Sequence, residues 1–146
     1  PGLPGLYSGS PMRVHETTLR VRYAETDQMG VVYHANYVIW MEVGRVELCR
    51  ALGVRYRDLE REGVNLAVAE VACRFAKPAR YDDEVVVKAW IGVASPRLIQ
   101  FEYEIREKES GVVLATGHTR HVFLSREMRP VKLPEKWRPM FGIAVE

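Results

Sequence analysis

Polar and apolar positions alternate from Thr17 to Tyr23, with Thr17, Leu19, Val21 and Tyr23 on one side and Thr18, Arg20 and Arg22 on the other. A two-residue period predicts a strand with one wet face. After the polar stretch Ala24–Tyr33 the period lengthens. Tyr37, Trp40, Met41, Gly44, Leu48 and Leu52 recur at three- and four-residue steps, which predicts a helix over Asn36–Leu52 ended by Gly53. Ile39, Val43 and Val46 lie off that stripe, so most of the circumference asks for burial, as expected of a central helix. A shorter helical piece, Arg55–Glu62, stops at Gly63, and from there the period is two again. Ala67, Ala69, Val71, Cys73 and Phe75 mark one strand, Glu84–Ile91 the next, Ile99, Phe101, Tyr103 and Ile105 a third, and Val112–Ser125 the last. The links Ala94–Arg97 and Lys108–Gly111 are short and turn-rich, which predicts antiparallel neighbours in a meander.

One substantial helix cannot cover both faces of a parallel sheet. The expected class is therefore α+β, a curled antiparallel β-sheet wrapped around one long central helix. A single curled layer leaves its outer face and its edges to be managed, so at least a homodimer is expected.

Composition narrows the picture only a little. With 146 residues, 47% hydrophobic and 27% charged, the chain falls in the ordinary globular range and is the size of one domain. Residues 12–146 are expected to form it, while 1–11, rich in Gly, Pro and Ser and followed by Met12, are set apart as a disordered leader or expression remnant. Twenty-one Lys+Arg against 19 Asp+Glu give a net charge of +2, too slight to suggest nucleic acid. Cys49 and Cys73 belong to no CxxC or Cys/His cluster, which fits reduced thiols in a cytoplasmic protein and no zinc or disulfide framework. No apolar run approaches the ~20 residues of a membrane span. His118 and His121, three apart on a strand, face opposite ways, which argues against a shared metal.

The segment that carries chemistry joins the first strand to the central helix: Asp27-Gln-Met-Gly30-Val-Val-Tyr33-His34-Ala-Asn36-Tyr37. The first turn of a helix leaves backbone N–H groups unpaired and carries roughly half a positive charge, so it can polarise a carbonyl. An acid seven residues upstream can act on that same carbonyl. This D-x-x-G-V-V-Y-H-x-x-Y pattern, with Glu42, Arg45 and Glu47 after it, resembles the hotdog-fold acyl-CoA thioesterases of the 4-hydroxybenzoyl-CoA thioesterase and YbgC-like group, and the likeness runs from about Val14 to Met128.

The resemblance implies hydrolysis of a coenzyme A thioester, with Asp27 as nucleophile or general base and the backbone amide at His34 polarising the carbonyl. It implies no cofactor, since coenzyme A is part of the substrate, and a homodimer that pairs further into a tetramer. Gly30 supplies positive φ or close approach of the backbone to the thioester. Tyr33, Tyr37 and Trp40 are candidates to line the acyl pocket, although Tyr37 and Trp40 also fit the core stripe. Lys77, beside Pro78 and Arg80, and above all Arg97 in its turn are candidates for the coenzyme A phosphates. Glu42 and Glu47 are read as i,i+3 ion pairs with Arg45 and Arg50 rather than as catalytic acids. Two rivals remain open: a hotdog 3-hydroxyacyl dehydratase that uses His34 with Glu42, and a non-catalytic acyl-CoA-binding sensor.

Overall fold

The computed structural model describes residues 13–144, so the reading of 1–11 as a leader lies outside the described residues. Five strands form one antiparallel sheet: β1 (His15–Arg20), β2 (Asn65–Phe75), β3 (Glu84–Ala94), β4 (Leu98–Glu107) and β5 (Val113–Leu124). Helix α1 (Ala35–Ala51) lies against its concave face, and the short α2 (Tyr56–Arg61) follows. This is the hotdog arrangement expected from the sequence.

Strand order is β1-β3-β4-β5-β2, which corrects the simple meander. The tight turns after β3 and β4 force their neighbours together, as their length requires. Residues 76–83 are long enough to carry the chain from the β2 edge across the sheet to β3, beside the opposite edge strand β1, so β2 pairs with β5 rather than with β3. The first strand also ends earlier than its alternation suggests, because Tyr23–Glu25 coils into a 3-10 turn in which the Glu25 carboxylate accepts the Arg22 N–H. After Leu124 the chain turns back and forms a 3-10 helix, Glu135–Phe141, that the sequence reading left without an element. It buries Trp137 and Phe141, and the Trp137 indole donates to Glu62 at 3.1 Å.

The inward rows Val85-Val87-Ala89-Ile91 of β3 and Ile99-Phe101-Tyr103-Ile105 of β4 meet Tyr37, Trp40, Met41 and Leu48 of α1 in one core. Gly44 lets the helix settle onto the sheet: a Cβ there would lie 2.6 Å from Val87 Cγ1. Arg45 does not pair with Glu42 as its spacing suggests. It turns inward, donating to the Tyr56 hydroxyl (2.9 Å) and the Tyr103 hydroxyl (3.2 Å), while Glu42 stays exposed. Ion pairing in water is worth little, whereas Arg45 here donates to two hydroxyls inside the fold. The Glu47–Arg50 pair does form, at 3.5 Å. The Tyr103 hydroxyl continues to Thr119 Oγ1 (2.6 Å), which meets His121 Nε2 at 2.8 Å.

Two surfaces are left uncovered. Ile39, Val43 and Val46 of α1, with Glu42 and Glu47, border an open groove of about 330 Å³. Val68, Val71 and Phe75 of β2 stand opposite the buried His121, Thr119 and Ala115, so they lie on the helix side of the sheet, yet all three are exposed.

Gly44→Ala should therefore cost about 1–3 kcal/mol in denaturant unfolding, since Val87 is β-branched and has no free space to yield. His121 is 1% exposed, and burial together with the nearby Arg45 charge lowers its pKa to about 3. The unfolded chain binds this proton near pH 6.5 and the folded one does not. Stability should be full above pH 6.5 and fall toward pH 3 by up to about 1.4 kcal/mol per unit. His121→Gln should remove that portion of the slope in pH-dependent unfolding.

Candidate active site

The loop between β1 and α1 is folded by its own residues. Thr26 bridges Val32, the Asp27 N–H donates to the Val31 carbonyl (2.9 Å), and the Gly30 N–H returns to the Asp27 carbonyl (3.0 Å). The result is a small hairpin closed by Gly30 at φ +79°, the left-handed conformation that a three-residue hairpin needs at this position. No atom lies within 4 Å of where a Gly30 Cβ would sit, so the backbone angle and not crowding calls for glycine.

Asp27, half-buried at the hairpin's start, accepts the Met29 N–H on Oδ1 at 2.8 Å, and its other oxygen has no partner among the described residues. Asp27 thus braces its own turn with one oxygen and leaves the other free. At the helix start the Tyr33 N–H goes to the Glu25 carbonyl (2.8 Å), the Asn36 N–H to Tyr33 (2.9 Å) and the Tyr37 N–H to His34 (3.2 Å). Between them the N–H groups of His34 and Ala35 make no hydrogen bond among the described residues, and both residues are exposed. These are the donors that a helix leaves over. The His34 ring makes no hydrogen bond either; it packs at a 49° tilt against Tyr33, centroids 4.4 Å apart, and meets Phe75 edge-on at 6.2 Å.

Tyr33 is exposed beside these donors. Tyr37 and Trp40 lie in the core, their rings 4.9 Å apart, with their polar atoms in use: the Tyr37 hydroxyl accepts from the Ala79 N–H (3.0 Å) and the Trp40 indole donates to Glu25 (2.9 Å). Lys77 is exposed at the same end, in the segment whose Ala79 holds Val32 and whose Arg80 bridges Val31. Arg97 is not part of this cluster. It sits in the β3–β4 turn, at the end of β3 opposite the Arg20–Glu84 pairing from which the loop departs, about 30 Å away at strand spacing.

Sequence reasoning missed Glu25. It is 4% exposed, and its carboxylate takes the Arg22 N–H (2.8 Å), the Trp40 indole (2.9 Å) and the Arg22 guanidinium (3.3 Å). Burial raises its pKa, but these donors outweigh burial and hold it below the ordinary carboxylate value. The signal was a glutamate three residues after Arg22, the spacing of a capping box. Among the described residues no group of three His, Cys, Asp or Glu side chains is placed to hold a metal ion, and no helix is long and apolar enough to cross a membrane.

A curled antiparallel sheet wrapped around one helix is the hotdog fold of thioesterases. The chain belongs to the Thioesterase-like superfamily, whose sequence model matches residues 21–141. It is 50% identical over 80 residues to YneP of Bacillus subtilis (strain 168), a candidate acyl-CoA thioesterase by name; the match covers 55% of this chain and spans only 58% of that relative's length. It is 34% identical over 127 residues to the chloroplastic acyl-acyl carrier protein thioesterase ATL3 of Arabidopsis thaliana, across 87% of this chain and 67% of ATL3. The solved DHNA-CoA thioesterase of Staphylococcus aureus superimposes with a TM-score of 0.81 at 34% identity, covering 86% of this chain and 84% of that one. The resemblance drawn from Asp27 to Tyr37 is borne out at the level of family and fold.

Because φ and not space constrains Gly30, Gly30→Ala should lower unfolding stability by about 1 kcal/mol, while Gly30→Asn, which tolerates the left-handed region, should lose roughly half as much. Equal losses in the two variants would show that crowding decides.

Proposed function

We propose that the protein hydrolyses acyl-CoA thioesters to a free acid and coenzyme A, through Asp27 and the first turn of α1. The observation that carries this reading is the half-bound Asp27 carboxylate, one oxygen on the Met29 N–H and one free, in the loop that leads to the unpaired His34 and Ala35 N–H groups. The free oxygen either attacks the thioester carbon, giving the coenzyme A thiolate and a mixed anhydride that water then opens to the free acid and the Asp27 carboxylate, or removes a proton from a water that attacks the thioester directly. In both routes charge gathers on the carbonyl oxygen, where the helix-start donors stabilise it; one such donor is typically worth about 3–4 kcal/mol. A thiol leaves readily, with a pKa near ~8.5, so no strong general acid and no cofactor are required. His34 acts through its backbone, in keeping with a ring that packs against Tyr33 and makes no hydrogen bond.

Lys77 and Arg80, exposed cations at this end of the fold, suit the coenzyme A phosphates. Arg97 can serve the same substrate only from a second copy. A second copy is supported by β2, an 11-residue edge strand whose exposed Val68, Val71 and Phe75 sit on the core side of the sheet. A homodimer joined at β2 covers them, and dimers that pair into a tetramer would bury the Ile39–Val46 groove. Free thiols at Cys49 and Cys73 agree with a cytoplasmic setting. The dehydratase reading is disfavoured because Glu42 lies eight residues, about 12 Å, along α1 from His34.

Asp27→Ala and Asp27→Asn should each reduce thiol release from a panel of acyl-CoA and acyl-carrier-protein thioesters by about a thousandfold or more. Undiminished release by both variants removes Asp27 from the reaction, and hydration of enoyl-CoA by the native protein would favour the dehydratase. Binding of every thioester without turnover would favour the sensor. Val71→Lys should give a monomer in light scattering where the native chain gives a dimer.

A further inference from the structure

We propose that Glu25 is a positioning residue that fixes the Asp27 carboxylate relative to the N–H donors at the start of α1. This rests on the reading of Asp27 given above. Five donors converge on Glu25. Its carboxylate takes the Arg22 N–H, the Arg22 guanidinium and the Trp40 indole, and its carbonyl takes the Tyr33 N–H and the Asn36 side-chain amide, the last at 2.9 Å.

The donors come from three places that have to keep register for the chemistry to work. Arg22 opens the 3-10 turn that follows the first strand, Tyr33 ends the Asp27 hairpin immediately before His34, and Asn36 and Trp40 stand on the first turns of the helix. Asp27 is two residues from Glu25, and the intervening Thr26 is paired to Val32. One residue thus ties the base of the hairpin both to the residue preceding the free N–H groups and to the helix body. Burying a carboxylate is unfavourable by several kcal/mol unless its oxygens are filled, so an apolar side chain would serve better if this space needed only to be packed. What the carboxylate adds is direction, because one oxygen is claimed by the Arg22 N–H and the other by the Trp40 indole of the helix, beside the Asn36 contact that the Glu25 carbonyl makes on its own.

The test is Glu25→Gln, which keeps the shape but sets an NH2 group against one of the N–H donors. Displacements of about 1 Å at a reacting group cost up to ~100-fold in rate. Glu25→Gln should therefore lower kcat on a reactive acyl-CoA by roughly 10- to 100-fold per folded molecule, with KM changed less than about threefold. Trp40→Phe removes the indole donor together with part of the buried ring, and should shift kcat the same way. The double variant should be no worse than Glu25→Gln alone, because the two changes break one contact. Folded fraction is read by circular dichroism, and Trp40→Phe carries the test if Glu25→Gln does not fold. A lower melting temperature with kcat intact, a rise in KM alone, or additive losses in the double variant would each overturn the proposal. Asp27→Asn with native turnover would sink the Asp27 reading and this one with it, whereas an inactive Asp27→Asn beside a fully active Glu25→Gln sinks only the role of Glu25.

Discussion

A helix enclosed by a single sheet is the constraint from which the rest of this molecule follows. Five strands can curl round most of α1 but not all of it, because the sheet has two edges and the helix has two ends. Gly44 brings the axis close enough to Val87 for the enclosure to be tight where it exists. What remains open is fixed by geometry: the N-terminal turn, where the chain arrives from β1, and the flank beside β2. The first opening is rich in unsatisfied backbone donors and the second in apolar side chains. One suits a polarised carbonyl, and the other suits a second copy of the chain.

Polar groups inside this enclosure are handled in two different ways. Near the N-terminus of α1, a buried carboxylate, Glu25, is saturated by donors from its own neighbourhood. Near the middle of the helix, the buried Arg45 has no carboxylate partner among the described residues and is solvated instead by two tyrosine hydroxyls. The chain from Arg45 through Tyr103 and Thr119 to His121 leaves His121 Nδ1 without a partner. It also places a titratable ring where a second positive charge is hard to accommodate. The sign of that arrangement is opposite to that of Glu25, which is stabilised in its charged form.

Much of the fold was legible because its signals are local. The three-to-four-residue recurrence from Tyr37 to Leu48 and the two-residue alternation in Ile99–Ile105 each depend on neighbours within a few positions, and short turns fixed the β3–β4–β5 pairing. The place of β2 was not legible, since an eight-residue connection is compatible with more than one neighbour. The C-terminal 3-10 helix carries no strong periodicity, and Trp137 earns burial only by meeting Glu62 far away in sequence. Within the site, Asp27, Gly30 and His34 stood out by residue type and spacing. Glu25 did not, because a glutamate in a polar loop reads as solvated until Trp40 is seen to reach it. Arg45 failed in the same way: helical spacing offered it Glu42, while tertiary packing offered two hydroxyls.

The strand order has a meaning for the order of assembly. The sheet joins β1 to β3 and β2 to β5 across long stretches of chain. Until those distant pairings close, the apolar circumference of α1 faces the surrounding medium, with loop-closure entropy opposing each step. A nascent chain of this design spends its most adhesive helix early and covers it only when the sheet closes, so the vulnerable interval in its biogenesis lies between the emergence of α1 and the pairing of β5 with β2.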